Sequence, residues 1–449
     1  MSLRIHNATI LTMDDAWTVR TGDVWIEDGR IKAIGTMPVD AQPTTTPAGG
    51  RPAITIDAGG GLVVPGFIQT HIHLCQTLFR GAADDLPLLA WLRERVWPLE
   101  AAHDDRTLTA ATRLAAAELS AGGTTSILTM ETVHGTDAVL EALVATGMRA
   151  TVGKCLMDIG DDAPARLKQP LVAALDESVA LDKRWRDAAD GRLRTALAPR
   201  FAISCSPALL EATAALSASA GLLVHTHASE QRDEVAIVRA RTGLDNMAYL
   251  ASVGLATERL CAAHCVWVTE AEQALMAERS VKVLHCPGSN LKLGSGVAPV
   301  HEMRARGISV SLGADGAACN NTLDMFHEMR LAATLQAMRH GPGALPAREA
   351  VWMATREGAR ALGLADQIGS IEVGKRADLV VISTDGVHQR PAADPYATLV
   401  YSCRPSDVRA TIIDGRVVYR DGQLTWGERE SIVEAADQAR ATLRDRAGV

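Results

Sequence analysis

Two histidines one residue apart, His71 and His73, close the apolar run Leu62-Val63-Val64-Pro65-Gly66-Phe67-Ile68-Gln69-Thr70. Side chains alternate across a β-strand, so imidazoles at i and i+2 share a face. Two imidazoles side by side are half of a divalent metal site. Other metal-binding or acid–base residues recur at the ends of apolar segments. Val224-His225-Thr226-His227-Ala228-Ser229-Glu230 carries two histidines and a glutamate, and Ala262-Ala263-His264-Cys265 carries one histidine. Val283-Leu284-His285-Cys286-Pro287 and Ser311-Leu312-Gly313-Ala314-Asp315-Gly316 add a histidine and an aspartate. A carboxylate beside a metal-bound water can take its proton and pass it on, so the set points to metal-assisted acid–base chemistry.

The segments that would position these groups alternate strand and helix. Strands are expected at Leu62–Thr70, Thr124–Met130, Arg149–Met157, Leu193–Ile203, Leu222–His227, Arg259–His264, Val281–His285 and Ile308–Gly313. Ala- and Leu-rich stretches such as Thr107–Ala121, Pro207–Ala220 and Glu270–Ala277 read as the intervening helices. Eight such units over about 300 residues predict an α/β protein with a (β/α)8 TIM-like barrel, whose chemistry sits at the C-terminal ends of its strands. Both ends of the chain are β-rich instead. Asp28-Gly29 and Asp414-Gly415 are hairpin signals between alternating runs, and 41–52 reads as a loop. A small composite β-sandwich domain built from both termini is therefore expected from 1–61 and 367–449, around a barrel at 62–366. Glu428–Arg446 reads as an amphipathic surface helix.

Composition narrows the function. A formal net charge of −8 gives no support for nucleic-acid binding, which would favour a basic face. No apolar run is long enough to span a bilayer, and no charged segment followed by an apolar core opens the sequence. Eight scattered cysteines without a CxxC pair suggest reduced thiols and a cytoplasmic setting.

The strand-end residues resemble the active-site pattern of the amidohydrolase superfamily, in its deaminase and triazine-hydrolase branch. Leu78 to Leu86, Cys286 to Leu293 and Gly313 to Asn321 are similar to the methylthioadenosine, adenosylhomocysteine and 5′-deoxyadenosine deaminases, and most similar to the last group. The resemblance implies metal ligation by His71, His73, His227, His264 and Asp315. Zinc suits these ligands, and iron(II) would also accept them. Binuclear relatives add a bridging carbamylated lysine on the fourth strand; here that strand offers Arg200 and no lysine, so a single metal is expected. Glu230 is implied as the proton shuttle, with Asp315 sharing the proton transfers, and His285 as the histidine that holds the oxygen added to the substrate. Glu100, ending Trp97-Pro98-Leu99-Glu100, is implied as the group that accepts the ribose hydroxyls. Arg200 replaces a histidine that contacts the purine in methylthioadenosine deaminases, and is expected to touch the substrate in its place. Trp97, with Phe79 and Trp91, is a candidate for lining a purine pocket.

The implied activity is hydrolytic removal of the 6-amino group of an adenine nucleoside, giving an inosine-type product and ammonia. The alternative is an s-triazine chloro- or amino-hydrolase, or a urea or amide hydrolase, on the same mononuclear site. A small nucleoside or heterocycle is the expected partner, and the family implies a homo-oligomer.

Overall fold

The computed structural model describes residues 2–36, 54–186 and 188–449; the loop expected at 41–52 lies outside them. In chain order the strands are β1 (Ser2–Leu11), β2 (Val19–Glu27), β3 (Arg30–Gly35), β4 (Ile54–Asp57), β5 (Leu62–Pro65), β6 (Phe67–Ile72), β7 (Thr124–Met130), β8 (Arg149–Leu156) and β9 (Leu193–Pro199). They continue as β10 (Val224–Ala228), β11 (Leu260–His264), β12 (Lys282–His285), β13 (Val310–Leu312), β14 (Leu379–Ile382), β15 (Val408–Ile413), β16 (Arg416–Arg420) and β17 (Gln423–Leu424).

Strands β6 to β13 pair in sequence order, all parallel, as one eight-stranded sheet. The sheet curls back on itself. Thr70 Oγ1 donates to Leu312 O at 2.9 Å and pairs with Ser311 Oγ at 2.8 Å, joining the first strand to the last. Helices follow the strands, and several start where side chains satisfy the free N–H groups of the first turn. Asp104 accepts from Thr107 N, Ser206 accepts from Leu209 N, and Thr269 and Glu272 form a reciprocal capping box.

The second sheet runs β17-β16-β15-β14-β5-β1-β2-β3, with β4 beside β1. It joins both ends of the chain, and both Asp-Gly hairpins form, between β2 and β3 and between β15 and β16. Its middle strands are buried on both faces. Val63, Leu379 and Val381 enter the sandwich core with Ile5 and Ile10, while Leu62, Val64, Val380 and Ile382 enter the barrel-side core. Phe67 and Ile68 continue the apolar run past that doubly buried strand, so the single strand expected at Leu62–Thr70 is two. Leu62–Pro65 belongs to the sandwich sheet, and the barrel begins at Phe67. The change of sheet falls at Gly66, where a Cβ would lie 2.1 Å from the Thr125 side chain. The two bodies are also tied by a buried ion pair. Arg149, at the start of β8, donates to the Asp378 carboxylate at 2.7 and 3.1 Å.

The C-terminal helix Arg429–Ala447 buries Ile432, Ala436, Ala439 and Leu443, a single helical stripe. All eight cysteines are buried and none forms a disulfide. Among the described residues no helix is long and apolar enough to cross a membrane.

Candidate active site

The C-terminal ends of the barrel strands bring the histidines and carboxylates together. His71 Nε2 and His73 Nε2 each lie 3.3 Å from Asp315 Oδ1, and His73 Nε2 lies 3.3 Å from His227 Nε2. Two overlapping sets have ligand atoms close enough to share one ion: His71, His73 and Asp315, and His71, His227 and His264.

Each imidazole is aimed by its other nitrogen. His71 Nδ1 pairs with His225 Nε2 at 2.7 Å, His73 Nδ1 with Met130 O at 2.7 Å, His227 Nδ1 with Arg200 O at 2.6 Å and His264 Nδ1 with Asn290 Oδ1 at 2.8 Å. Such outer contacts fix ring orientation and tautomer at metal sites. Asp315 is held likewise, by Ser289 Oγ at 2.6 Å and by the Gly316 N–H at 2.7 Å. The sequence pattern alone assigned no such supporting role to Asn290 or Ser289. Their only signal was membership of the Cys286–Leu293 motif.

The donor set fits a divalent cation. His71 Nε2 and His264 Nε2 are buried without a hydrogen-bond partner. Burial pushes the His71 imidazole down to about 4 and depresses His227 and His264, so their rings stay neutral and able to ligate. The Asp315 carboxyl is opposed by burial, but the neighbouring His71 and its other histidines hold it well below the usual range. Backbone strain collects at the same place: Ser229 (φ 53°), His264 (φ 71°), Cys265 (φ 47°) and Asp315 (φ 64°) are left-handed without being glycine.

Glu230 and His285 border this cluster. Glu230 Oε2 lies 3.5 Å from His264 Nε2, and its Oε1 has no partner. Burial, then the charges of Asp315 and Glu234, raise its carboxyl well above the ordinary glutamate range. His285 is wholly buried with neither ring nitrogen bonded, and burial lowers it to about 3.

The pocket above the cluster is lined by His73, Gln76, Arg200, His227, Glu230, His264 and Asp315, with an apolar wall of Leu88, Trp91, Leu92, Phe201 and Leu293. Trp91 faces this pocket, whereas Trp97 and Phe79 pack into the hydrophobic core beside it. The two tryptophans sit six residues apart in a continuous helical stretch, Leu88–Ala101, and face different ways. Glu100 and Arg200, each expected to contact substrate, contact one another. Arg200 Nη1 donates to Glu100 Oε2 at 2.5 Å and Nη2 to Oε1 at 3.2 Å, with side chains 4% and 1% exposed. Gln76 Nε2 adds a third donor to Oε1 at 3.0 Å. Lys154 turns away from the cluster, donating to Val133 O and Gln169 Oε1.

The amidohydrolase family model matches residues 62–418. The chain belongs to the amidohydrolase family. Among its curated relatives is the 5′-deoxyadenosine deaminase of Methanothermobacter thermautotrophicus, 42% identical over 96% of each chain. Another is a 5-methylthioadenosine/S-adenosylhomocysteine deaminase of Moorella thermoacetica, 39% identical over 95% of this chain and 96% of the relative. Among solved structures, a zinc-bound adenosine deaminase from Xanthomonas campestris superposes with a TM-score of 0.90 at 34% identity, covering 99% and 98% of the two chains. An Arthrobacter aurescens triazine hydrolase reaches the same TM-score at 25% identity, covering 98% and 99%. The protein is thus a metal-dependent hydrolase, and the neighbouring deaminase structure holds zinc at a fold of this kind.

Proposed function

We propose that this amidohydrolase removes the 6-amino group of an adenine nucleoside, 5′-deoxyadenosine, 5′-methylthioadenosine or S-adenosylhomocysteine, yielding the inosine-type product and ammonia. The observation that carries the reading is Glu230. A buried carboxyl with one oxygen free of any partner, 3.5 Å from His264 in a pocket with an apolar wall, is placed to exchange a proton with a heterocycle's ring nitrogen. Near-full-length identity of about 40% to adenine-nucleoside deaminases favours adenine as that heterocycle.

His71, His73, His227, His264 and Asp315 would hold one zinc ion, which when bound makes water nucleophilic at neutral pH. Glu230 donates its proton to N1 of the purine, which makes C6 electrophilic as water adds there. Asp315, fixed by Ser289 and Gly316, accepts the proton lost by that water. His285, uncharged through burial, donates a hydrogen bond to the oxygen arriving at C6. Asp315 then gives that proton to the amine, the C6–N bond breaks and ammonia leaves, while the proton of the new C6 hydroxyl returns to Glu230 and the 6-oxo product keeps its proton on N1. The apolar wall with Trp91 holds the flat base and excludes bulk water.

Incubating the zinc-loaded protein with the three nucleosides, and following the absorbance change from adenine to hypoxanthine, tests the reading. Turnover of at least one is expected, with a loss of about 10²–10⁴ in kcat for Glu230→Gln. Absence of turnover on all three sinks it. A second reading, a triazine or related heterocycle hydrolase, draws on the triazine hydrolase likeness and on a Glu100 already engaged by Arg200. The resemblance also supports a cytoplasmic homo-oligomer, which scattering in solution would check.

A further inference from the structure

Gln76 has a use for only one end of its amide. Its Nε2 donates to Glu100 Oε1 at 3.0 Å, and because a carboxylate offers only acceptors, that bond fixes which end of the amide is which. The other end, Oε1, is buried without a partner, and the residue is fully buried. Gln76 nevertheless forms part of the pocket wall, together with Arg200 and Asp315. Room for the oxygen exists because position 316 is glycine: a Cβ there would lie 2.2 Å from Gln76 Oε1.

The backbone carrying Gln76 is anchored. The Glu131 carboxylate accepts from Leu74 N at 3.1 Å and Cys75 N at 3.0 Å, and His103 Nε2 pairs with Cys75 O at 3.1 Å. A buried acceptor left unmade costs free energy, so an acceptor held rigidly in a pocket wall marks a place where a ligand's donor belongs.

We propose that Gln76 is a substrate-contact residue, its Oε1 accepting a hydrogen bond from an N–H or O–H group of the substrate. Glu100 is then a positioning residue that aims Gln76 and Arg200. This rests on the adenine-nucleoside reading, in which two groups can be the donor: the 6-amino group or a ribose hydroxyl.

The test compares wild type with Gln76→Met in the zinc-loaded enzyme, with metal content and thermal midpoint as controls. The substrates are the ribonucleoside and its 2′-deoxy and 3′-deoxy analogues. A fall in kcat/KM of about tenfold, the size of one hydrogen bond, is expected. If the ribonucleoside falls while one deoxy analogue does not, the donor is that hydroxyl. If all fall alike, the donor is the amino group. A Gln76 that acted only through Glu100 would add nothing to Glu100→Gln, so the double variant separates contact from support. Gln76→Asn, which keeps the amide but withdraws Oε1, is the second variant should the first not fold. The proposal is overturned if kcat/KM stays within twofold of wild type, or if the double variant matches Glu100→Gln alone. Failure of wild type on every adenine nucleoside would instead overturn the substrate reading.

Discussion

The Glu100–Arg200 pair makes a prediction in which the two partners are not equivalent. Both side chains are nearly sealed from water and joined through two N–H···O contacts. Removing one member of a buried pair leaves the other charge uncompensated, at about 3–5 kcal/mol. Glu100→Gln strands a guanidinium that cannot deprotonate, so the full cost should appear at every accessible pH. Arg200→Met strands a carboxyl that can take up a proton. Burial raises the Glu100 carboxyl and Arg200 more than reverses this, so without Arg200 its pKa should move above the ordinary value. A raised pKa means stability that is complete below the unfolded value near 4.5 and is lost as pH rises. Arg200→Met should therefore be mild at pH 5 and worse at pH 8, whereas Glu100→Gln should be uniform. Unfolding entropy for 449 residues is about 0.9 kcal/mol/K, so a loss of ~3–5 kcal/mol lowers Tm by roughly 3–5 °C. The double variant Glu100→Gln/Arg200→Met leaves no charge to strand and should recover much of the loss. Calorimetry of the four proteins at pH 5 and pH 8 decides the matter. Equal effects of the two single variants at both pH values would refute the reasoning.

Three further outcomes are expected. Burial holds His103 at about 4, so its neutral form contributes stability that is present above the unfolded value of 6.5 and lost as pH falls towards 4. A His103→Asn variant should show a urea midpoint flatter over that window, the His103 share being at most ~3 kcal/mol. Chelating the metal should abolish turnover and lower the thermal midpoint, with both restored by zinc; a site saturated a thousandfold adds about 4 kcal/mol. Asp378→Asn should leave Arg149 only the more distant Asp414 carboxylate, 3.8 Å away, and cost up to ~3 kcal/mol in denaturant titration, with kcat almost unchanged since the pair lies at the start of β8, at the opposite end from the catalytic cluster.

Much of the site could be read from the sequence because its groups sit at the ends of apolar strands. The pattern gives the strand, the strand gives the face, and a barrel brings the strand ends together. The same logic failed where an apolar run has two buried faces. Leu62–Thr70 shows no break in polarity where the chain passes from the sandwich sheet to the barrel, because both surroundings are apolar; Pro65-Gly66 was the one local mark of that change. It failed again at Trp97, where composition located an aromatic cluster but not which side of a helical stretch faces the pocket. Gln76 and Glu131 gave no signal at all. A single amide or carboxylate in a mixed segment becomes informative only through its partners, which here are 24 and 56 or 57 residues distant.

By itself the sequence determined the barrel, the composite sheet and the residue types of a metal-dependent hydrolase. Those depend on local periodicity and on strand-end chemistry, and both are carried by neighbouring residues. The tertiary structure alone decided how the polar wall of the pocket is shared out. Glu100 lies in a helix and Arg200 at the end of β9, 100 residues later, and only the folded chain makes them one buried ion pair. Their pairing takes up the carboxylate expected to meet the ribose, and it leaves Gln76 as the unpaired acceptor beside the metal ligands. Hydrogen-bond satisfaction is a property of the whole buried neighbourhood, so no stretch of sequence records which polar atom is left over.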